Sequence, residues 1–196
     1  MYSGIIQITE KAEKFERTGQ AMRAWFKIPK GWNLALGESI NLDGACATIE
    51  KIEDDLFSVY WMDETLQKTT FATIVKDHLF NVERCLSLND LIGGHLVQGH
   101  IDTIAQVISI KTVGDSKVFT FSLPKHFSKY LIYKGSVAVN GVSLTLTEVT
   151  DTTFSVSLIP YTLSHTNLGE LKTGDNVNIE IDMIAKYVEK LLKFPD

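Results

Sequence analysis

The chain has few cysteines, the residues that cross-link small folds, with two among 196 residues, and it has only four prolines. Cys46 and Cys85 form neither a Cys-x-x-Cys pair nor a Cys/His ligand spacing, so we expect no structural zinc and no disulfide. No apolar run of about 18 residues occurs, so the sequence predicts no membrane-spanning helix. Residues 1–4 run into a strand-like segment without the charged and apolar regions of a signal peptide, so we expect a cytoplasmic protein.

Basic residues are also too few for a nucleic-acid-binding face. The chain has 19 Lys and Arg against 24 Asp and Glu, which gives a formal net charge of −5 at pH 7, and no basic stripe is present. This balance argues against nucleic acid as the main partner. A composition of 44% apolar and 22% charged residues is typical of a globular protein with a real core.

The most informative feature of the chain is an internal repeat. Residues 37–84 match residues 134–181 at a separation of 97 positions, and the earlier part matches at a separation of 95. The matched pairs include Asp43-Gly44 with Asn140-Gly141, and Cys46-x-Thr48 with Ser143-x-Thr145. A unit of roughly 95 residues is too long for a solenoid repeat and about right for a small domain. We therefore predict a duplicated domain followed by a tail, with boundaries at residues 1–92, 93–182 and 183–196.

Short strands separated by turn residues at spacings of about 8–12 are predicted in both copies, as in small sandwiches and barrels. Asn140-Gly141 lies between two strand-like segments and is a hairpin signal, because both residues tolerate positive φ. Six short antiparallel strands per copy are best buried by closing into a barrel, which removes exposed edges. The predicted first strands are residues 4–12 and 99–110, and short helices are predicted at residues 30–36 and 125–133.

The tail differs from the rest of the chain. Ile184, Val188, Leu191 and Leu192 recur at helical spacing, which predicts an amphipathic helix over residues 183–193. So short a helix does not persist alone in water, and we expect it to dock on its own barrel or on the same helix of other subunits. The predicted fold class is therefore all-β, with two tandem six-stranded barrels plus a C-terminal α-helix.

Several polar residues are candidates for chemistry: Cys46 with Thr48, Ser143 with Thr145, His95, His100, Lys134 and Asp182. Each also has an ordinary structural interpretation, such as a buried cysteine filling a core or Asp182 capping the terminal helix. The repeat favours chemistry, because alternate residues on one strand point to the same side. Each copy then presents a thiol or hydroxyl to one pocket beside Gly4 or Gly99, where a flat ligand can approach the backbone. Two matched pockets suit a tandem binder or an enzyme that handles two copies of one molecule.

Longer motifs run through the whole chain. They are Met-x-Ser-Gly-Ile-Ile-Gln at the start, Asp43-Gly44-x-Cys46-x-Thr48, residues 81–84, Ile92-Gly93-Gly94-His95-Leu96-x-x-Gly99-His100, Tyr133-Lys134-Gly135, Gly141-x-Ser143-Leu144-Thr145 and residues 178–182. In register and over the full length, they resemble the riboflavin synthase family of the α-chain type. The most specific parts are the Gly-Gly-His-Leu-x-x-Gly-His string and the duplicated strand motif.

The resemblance implies a fold, an assembly and a reaction. The fold is a pair of six-stranded Greek-key barrels, and the assembly is a homotrimer held by the C-terminal helices. The reaction is a dismutation of two molecules of 6,7-dimethyl-8-ribityllumazine into riboflavin and 5-amino-6-(ribitylamino)uracil. The first barrel of one subunit is expected to face the second barrel of its neighbour, so that each active site holds two substrates. No metal or redox cofactor is implied, because the lumazine is itself an electron sink with acidic 7-methyl protons.

The resemblance also implies site residues. Ser143, Cys46, His100 and Asp182 match positions implicated in catalysis. Attack on an electron-poor ring carbon suits an oxygen or sulfur nucleophile, and His100 is the natural group to move a methyl proton. The first pocket is predicted to comprise Gly4, Ile5, Ile6, Cys46, Ala47, Thr48, Tyr60, Trp61, Met62, Asp63, Glu64 and Thr65, and Ser39 is predicted to bind substrate as well. The second is predicted to comprise Gly99, His100, Ile101, Lys134, Ser143, Leu144, Thr145, Ser157, Leu158, Ile159, Pro160, Tyr161 and Thr162.

Three positions depart from the family pattern. Ala47 stands where leucine is common, Tyr161 replaces a glutamate of the second barrel, and His165 stands where arginine is usual. Tyr161 adds an aromatic ring beside the second pocket, where it bears on how a ribityl chain or pteridine ring is held.

Two other functions are considered beside the synthase. Lumazine proteins of luminous bacteria resemble the family but bind one lumazine or flavin as optical antennae, resemble it less in the second barrel and lack the terminal helix. The chain keeps Ser143, Thr145, His100, Asp182 and the tail, which favours the synthase. A flavin-binding reductase domain uses a similar barrel but needs a second nucleotide-binding domain, for which 196 residues leave no room.

Overall fold

Two closed barrels followed by a helix make up the protein. The structure, a computed structural model, describes residues 1–193, so residues 194–196 of the predicted tail lie outside the described residues. Each barrel has six antiparallel strands. Within residues 1–193, no helix is long and apolar enough to cross a membrane. The predicted fold class of two tandem six-stranded barrels with a C-terminal helix is confirmed.

Six strands form the first barrel: β1 (Ile8–Thr18), β2 (Ala21–Lys27), β3 (Ser39–Leu42), β4 (Ala45–Glu53), β5 (Leu56–Trp61) and β6 (Leu79–Arg84). They follow the order β1-β2-β5-β4-β3-β6, and β6 pairs with β1 to close the barrel. Strands β3, β4 and β5 pair in sequence, and β6 returns beside β3. This is the Greek-key connection.

Six further strands form the second barrel: β7 (Thr103–Val113), β8 (Ser116–Ser122), β9 (Ser136–Val139), β10 (Val142–Val149), β11 (Thr153–Leu158) and β12 (Asn176–Ile181). These strands follow the order β10-β11-β8-β7-β12-β9. When β7–β12 are matched with β1–β6 in sequence, each strand has the same two neighbours as its counterpart in the first barrel. Closure comes from the pairing of β9 with β10. The sequence repeat is therefore a repeat of the fold.

Each barrel has its own aromatic core. In the first, Phe26 stacks on Phe57 with ring centroids 5.4 Å apart and meets Phe80 edge-on at 5.1 Å. In the second, Phe121 stacks on Phe154 at 5.2 Å. Burying one such ring stabilises a fold by about 1.5–3 kcal/mol, so each barrel is a rigid support for the residues on its outer surface.

Short helices occupy equivalent places in the two barrels. Helix α1 (Asp63–Lys68) follows β5, and α2 (Pro160–His165) follows β11. Each leads into a 3₁₀ helix, at Thr70–Thr73 and Asn167–Glu170 respectively. The sequence did not reveal these helices, because six residues are too few to show a helical period.

The two helices predicted after the prolines have different outcomes. The segment at residues 125–133 contains a 3₁₀ helix, Lys125–Tyr130. Residues 30–36 contain turns instead. Gly31 has a φ of +85°, which a right-handed helix excludes, so the prediction of a helix there is wrong.

The terminal helix α3 spans Met183–Leu192, as its helical spacing predicted. Asp182 caps the helix, because its Oδ1 accepts a hydrogen bond from the backbone N–H of Ile184 at 2.9 Å. Lys186 Nζ lies 2.6 Å from the carboxylate of Asp102, at the start of the second barrel. One side of α3 is therefore attached to its own barrel.

The first strand of each copy begins later than predicted. Strand β1 starts at Ile8 and β7 starts at Thr103, four residues after the predicted starts. Gly4 and Gly99 have φ values of +74° and +85°, in the left-handed region, so the chain turns there and does not continue as a strand. These turns direct the preceding segments away from the barrels that follow them.

Buried amides join the two barrels in a reciprocal pattern. Asn81 donates its side-chain N–H to the carbonyl of Asn140 at 2.9 Å. The equivalent Asn178 donates its own to the carbonyl of Asp43, also at 2.9 Å. Both donors are fully buried, so breaking either bond leaves an unpaired polar group. The pattern places an approximate twofold axis between the barrels and fixes the positions of the two candidate pockets.

Candidate active site

The strand that follows each hairpin turn presents its polar residues outward. On β4, Cys46 is half-buried and Thr48 is exposed, whereas Ala47 between them packs in the barrel core. Strand β10 repeats this pattern, with Leu144 inside and its two polar neighbours outside. The prediction that the polar residues share one face is confirmed, and in both barrels this face is the outer surface.

The segment around Gly4 precedes the first barrel and the segment around Gly99 precedes the second, and each of these crossing segments contacts the opposite barrel. The backbone N–H of Ser143, in the second barrel, donates to the carbonyl of Gly4 at 2.8 Å. The N–H of Cys46, in the first barrel, donates to the carbonyl of Gly99 at 2.9 Å. The prediction that Gly4 shares a pocket with Cys46, and Gly99 with Ser143, is therefore wrong. The repeat did not reveal this exchange. The segments around Gly4 and Gly99 are equivalent, and so are the strands β4 and β10, so the sequence pattern is the same for either pairing of segment with strand.

Two buried glutamates hold the crossing segments. Glu83 accepts from the N–H and the hydroxyl of Ser3, each at 2.8 Å, and from the N–H of Gly4 at 3.1 Å. Glu180 accepts from the backbone N–H groups of residues 98–100 at 2.6, 2.8 and 2.9 Å. Burial raises the pKa of both carboxyls, and the backbone donors oppose this effect. Each carboxylate therefore connects a barrel strand to the segment that lines the other pocket.

Glycine is required where each crossing segment passes its strand. A Cβ on Gly99 would lie 2.5 Å from the Cβ of Cys46, and one on Gly4 would lie 2.6 Å from the Cβ of Ser143. Carbon atoms pack at about 3.5–4.0 Å, so no side chain fits at either position. Bare backbone therefore lies beside the thiol and the hydroxyl, where a flat ligand can approach it closely.

The first pocket is a surface cavity of about 280 Å³ beside Cys46. Its lining comes from β4, α1 and the crossing segment: Ala45, Cys46, Glu64, Thr65, Lys68, Thr69, Gly99, His100 and Ile101. Lys68 and Thr69 were not predicted. Lys68 lies one helical turn after Glu64, a relationship that requires knowledge of α1. The pocket surrounds the thiol with a carboxylate, an ammonium and an imidazole, and no cluster suited to a metal ion exists within residues 1–193.

Tyr2 supports Cys46 from below the pocket. Its hydroxyl donates to the Sγ of Cys46 at 3.1 Å, and the whole residue is buried. Burial, together with the hydrogen bond to Cys46, raises the pKa of Tyr2, so the hydroxyl stays protonated and acts as the donor. Tyr2 was not predicted as a site residue, because it stands at the unspecified position of the motif at the start of the chain.

Ser143 in the second pocket is paired with a histidine from the segment between β6 and β7, which connects the two barrels. His95 Nδ1 lies 2.7 Å from the Oγ of Ser143. Burial lowers the pKa of His95, and the negative charge of Asp182 opposes the shift without cancelling it. The imidazole is therefore neutral near pH 7. A neutral imidazole next to a hydroxyl can accept a proton from it or from a bound molecule.

The two histidines of the Gly-Gly-His-Leu-x-x-Gly-His string lie in different pockets. His100 lines the first pocket with Cys46, whereas His95 contacts Ser143 in the second. The placement of His100 in the second pocket is therefore wrong. The chain turns at Gly99 between the two histidines and carries them to opposite barrels.

Four predicted site residues face the barrel interiors. Ala47, Trp61, Leu144 and Leu158 are buried and belong to the two apolar cores. Each lies on a strand next to residues that face outward, and strand side chains alternate between the two faces. Their side chains therefore do not line the outer pockets.

The other predicted residues are exposed or half-buried on the outer surfaces. On and beside the first barrel they are Ser39, Tyr60, Met62 and Asp63; on and beside the second they are Ile5, Ile6, Lys134, Thr145, Ser157, Ile159, Pro160, Tyr161 and Thr162. Lys134 occupies a turn with φ of +66°, and its N–H donates to the carbonyl of Leu146 at 2.9 Å. Asp182 caps α3 and acts on His95 through its charge.

Comparison with known proteins gives the family. A model of the lumazine binding domain matches residues 3–85 and 98–182, once for each barrel. Riboflavin synthase of Bacillus subtilis (strain 168) is 36% identical over 193 residues, which cover 98% of this chain and 90% of that protein. Riboflavin synthase of Escherichia coli (strain K12) is 38% identical over 199 residues, with 98% and 93% covered. The chain belongs to the riboflavin synthase family.

Solved structures of LumP share the architecture of this riboflavin synthase family member. LumP complexed with riboflavin matches with a TM-score of 0.84 and 26% identity, over 92% of this chain and 99% of that chain. LumP complexed with 6,7-dimethyl-8-(1'-D-ribityl) lumazine matches with a TM-score of 0.82 and 25% identity, over 92% and 98%. The family resemblance drawn from the motifs is confirmed.

The two pockets of this riboflavin synthase family member are equivalent in position and different in chemistry. In the first, Cys46 accepts a hydrogen bond from a phenol that stays protonated. In the second, Ser143 is paired with a neutral imidazole. Two similar molecules bound in these pockets would meet different polar groups, and the second pocket has a base beside its hydroxyl.

Proposed function

We propose that the chain is a riboflavin synthase, which converts two molecules of 6,7-dimethyl-8-ribityllumazine into riboflavin and 5-amino-6-(ribitylamino)uracil. The observation that carries the proposal is the pair of exchanged pockets, with Cys46 and Tyr2 in one and Ser143 and His95 in the other. Relatives named riboflavin synthase at 34% to 39% identity support it. The LumP complexes with a ribityl lumazine and with riboflavin support the substrate class.

The reaction requires two identical molecules to be treated differently. One lumazine gives up a four-carbon unit and becomes the uracil, and the other accepts the unit and becomes the flavin. The atoms of two lumazines equal those of the two products, so no external oxidant or reductant enters the balance. Two sites that occupy equivalent positions in the repeat and differ in polar groups suit this division, and holding two rings in a reactive orientation is itself worth about 7–11 kcal/mol.

His95 and Ser143 form the proton-transfer site of the proposal. The neutral imidazole takes a proton from the Ser143 hydroxyl or from a methyl group of the bound lumazine, and later returns it. A well-placed general base of this kind contributes about 10²–10⁴-fold in rate. The charge of Asp182 favours protonated His95 and so stabilises the imidazolium that forms.

The first pocket binds the second lumazine. Glu64 and Lys68 on α1 provide a carboxylate and an ammonium, which suit the hydroxyls of a ribityl chain. Cys46 and His100 face the same cavity. In a homotrimer, the first pocket of one subunit would face the second pocket of its neighbour, and the complete site would hold both substrates.

A protein that binds a lumazine or flavin without turnover is the second candidate. It is supported by the similarity to LumP over 92% of the chain. Such a protein needs a pocket but no base. The hydrogen bond between His95 and Ser143 therefore favours the enzyme.

Incubation of the purified full-length protein with 6,7-dimethyl-8-ribityllumazine tests the proposal. We expect two lumazines to be consumed for each riboflavin formed, with the uracil product in equal amount, as measured by absorbance and chromatography. Ser143→Ala serves as the matched control and should form little riboflavin. Tight binding of the lumazine with neither product released would establish the second candidate instead.

A further inference from the structure

We propose that Tyr161 determines the ligand specificity of the second pocket by offering a stacking face to one planar heteroaromatic ring, with His165 holding it in place. The inference rests on the proposed function, because the ring in question is that of a lumazine or flavin. It concerns a residue for which the first barrel has no aromatic counterpart.

Helices α1 and α2 end with the same hydrogen bonds in the two barrels. Thr69 Oγ1 donates to the carbonyl of Thr65 at 2.7 Å, and Thr166 Oγ1 donates to the carbonyl of Thr162 at 2.7 Å. Each of these hydroxyl oxygens also accepts from the backbone N–H two residues later, at 3.3 Å in both barrels. Residues at the same place in the two helices therefore occupy equivalent positions.

This equivalence places Tyr161 at the position of Glu64 and His165 at the position of Lys68. Both residues of α1 line the first pocket. The second barrel has therefore exchanged a carboxylate and an ammonium, one helical turn apart, for two aromatic rings. A ligand in the second pocket meets stacking surface where a ligand in the first meets two opposite charges.

The rings of Tyr161 and His165 on α2 are stacked on each other. Their centroids are 4.0 Å apart and their planes differ by 14°. His165 Nδ1–H donates to the carbonyl of Tyr161 at 2.9 Å, and the Oγ of Ser164 lies 2.9 Å from the same nitrogen. The imidazole is thereby fixed against the phenol, while Tyr161 remains 68% exposed. A fixed aromatic face loses little side-chain freedom on binding, which favours affinity.

A third position also has a less polar residue in the second pocket than in the first. By the repeat, Ile5 of the crossing segment stands where His100 stands in the first pocket. Ile5 is 50% exposed, so it offers an apolar surface near Ser143, to which its neighbour Gly4 is hydrogen-bonded. The second pocket is therefore aromatic or apolar at positions where the first is charged or titratable.

Titration of the full-length protein with riboflavin, followed by flavin fluorescence and by the absorption shift of the bound flavin, tests the inference. Tyr161→Leu removes the ring and keeps an apolar side chain, whereas Tyr161→Phe keeps the ring. We expect Tyr161→Leu to weaken one class of riboflavin site by about two- to tenfold and to remove its absorption shift, and Tyr161→Phe to bind as the wild type does. Glu64→Leu, the matched change in the first pocket, should affect the other class of site.

The outcomes separate this inference from the proposed function. Unchanged riboflavin binding in Tyr161→Leu, or equal losses in the Leu and Phe variants, would overturn the inference and leave the synthase proposal in place. A changed oligomeric state of Tyr161→Leu with unchanged binding would also overturn it, because the ring would then serve a subunit contact. A wild-type protein that bound no riboflavin and formed none would overturn both.

Discussion

His95 Nδ1 and Ser143 Oγ lie 2.7 Å apart, although one residue belongs to the joint between the barrels and the other to β10. The pair is therefore formed only when the joint folds against the second barrel. The buried amide network between the barrels supports the same arrangement, since Asn81 and Asn178 donate across the interface. The chemistry of the second pocket thus depends on how the two copies pack, which neither copy determines alone.

Removing either member of this pair should abolish most turnover. We expect Ser143→Ala and His95→Gln each to lower the rate of riboflavin formation by about 10²–10⁴-fold. Because the two side chains act as a unit, the double variant should lose little more than either single variant. His126→Gln, at an exposed histidine outside both pockets, is the matched control and should turn over normally. Multiplicative losses in the double variant would show that the two residues act separately.

The pH dependence of the reaction should report the lowered pKa of His95. Burial lowers that pKa below the usual histidine value of about 6.5, and only the neutral imidazole accepts a proton. We therefore expect the acid limb of kcat/KM to lie below the usual histidine value, with kcat/KM falling as the pH drops through the pKa of His95 in the folded protein. Asp182→Asn removes the charge that supports protonated His95, so the acid limb should move to lower pH. An acid limb above the usual histidine value would contradict the assignment.

The barrels could be predicted from the sequence because their signals are local. Strand alternation, the Asp43-Gly44 and Asn140-Gly141 turns and the 97-residue spacing are all visible along the chain. The exchange of the Gly4 and Gly99 segments was not predictable in the same way. Exchange leaves each segment beside an equivalent strand, so the apolar pattern is the same with or without it.

The placement of His100 failed for a related reason. The Gly99 segment precedes the second barrel, so His100 was grouped with that barrel, whereas His95 was assigned to no pocket. The positive φ of Gly99 separates them, and a positive φ cannot be read from a glycine alone. Tyr2 was missed because its contact with Cys46 spans 44 positions and requires the folded interface.

Glu180→Gln should loosen the segment that lines the first pocket. The carboxylate accepts three backbone N–H bonds from residues 98–100, and an amide nitrogen in its place would face one of these donors. We expect a loss of about 1–3 kcal/mol in the free energy of unfolding, measured by urea denaturation. Glu148→Gln, at an exposed glutamate of β10, should stay within about 0.5 kcal/mol of the wild type. Riboflavin titration should show a weaker first pocket, and equal weakening of both pockets would contradict this account.

Stability should fall as the pH rises above the ordinary histidine range. His78 Nε2 lies 2.6 Å from the buried Asp43 carboxylate. Burial lowers the pKa of His78, but the hydrogen bond to Asp43 and the charges of Asp43 and Glu170 outweigh this effect, so the pKa is raised. Stabilisation by a raised histidine pKa is fully present below the unfolded value of about 6.5 and is lost as the pH rises through the folded value.

Thermal unfolding across this range gives the measurement. The midpoint of the wild-type protein should decrease as the pH rises above about 6.5 and through the raised pKa of His78. His78→Gln removes the titrating group and keeps a polar side chain near Asp43, so most of this slope should disappear in the variant. A slope that persists in His78→Gln would assign it to other groups.

The outer side of α3 points to subunit association. Large apolar side chains that are between 50% and 78% exposed in the single chain lie along it: Ile184, Tyr187, Val188, Leu191 and Leu192. The other side is attached to the second barrel through Lys186 and Asp102. An exposed apolar stripe of this kind favours burial against another copy, and we expect the trimer that the family resemblance implies.

Interrupting this stripe should separate the subunits and stop turnover together. In Val188→Glu/Leu191→Glu the added charges oppose burial of the helix, while the ion pair of Lys186 with Asp102 remains and holds α3 on its barrel. We expect sedimentation of the variant as a monomer, and the same for a chain that lacks residues 183–196. Riboflavin formation should be lost in both, because the complete site is proposed to combine pockets of two subunits, while riboflavin binding to single pockets should persist. A monomeric variant with full turnover would exclude the shared site, and a variant that stayed trimeric would exclude α3 as the contact.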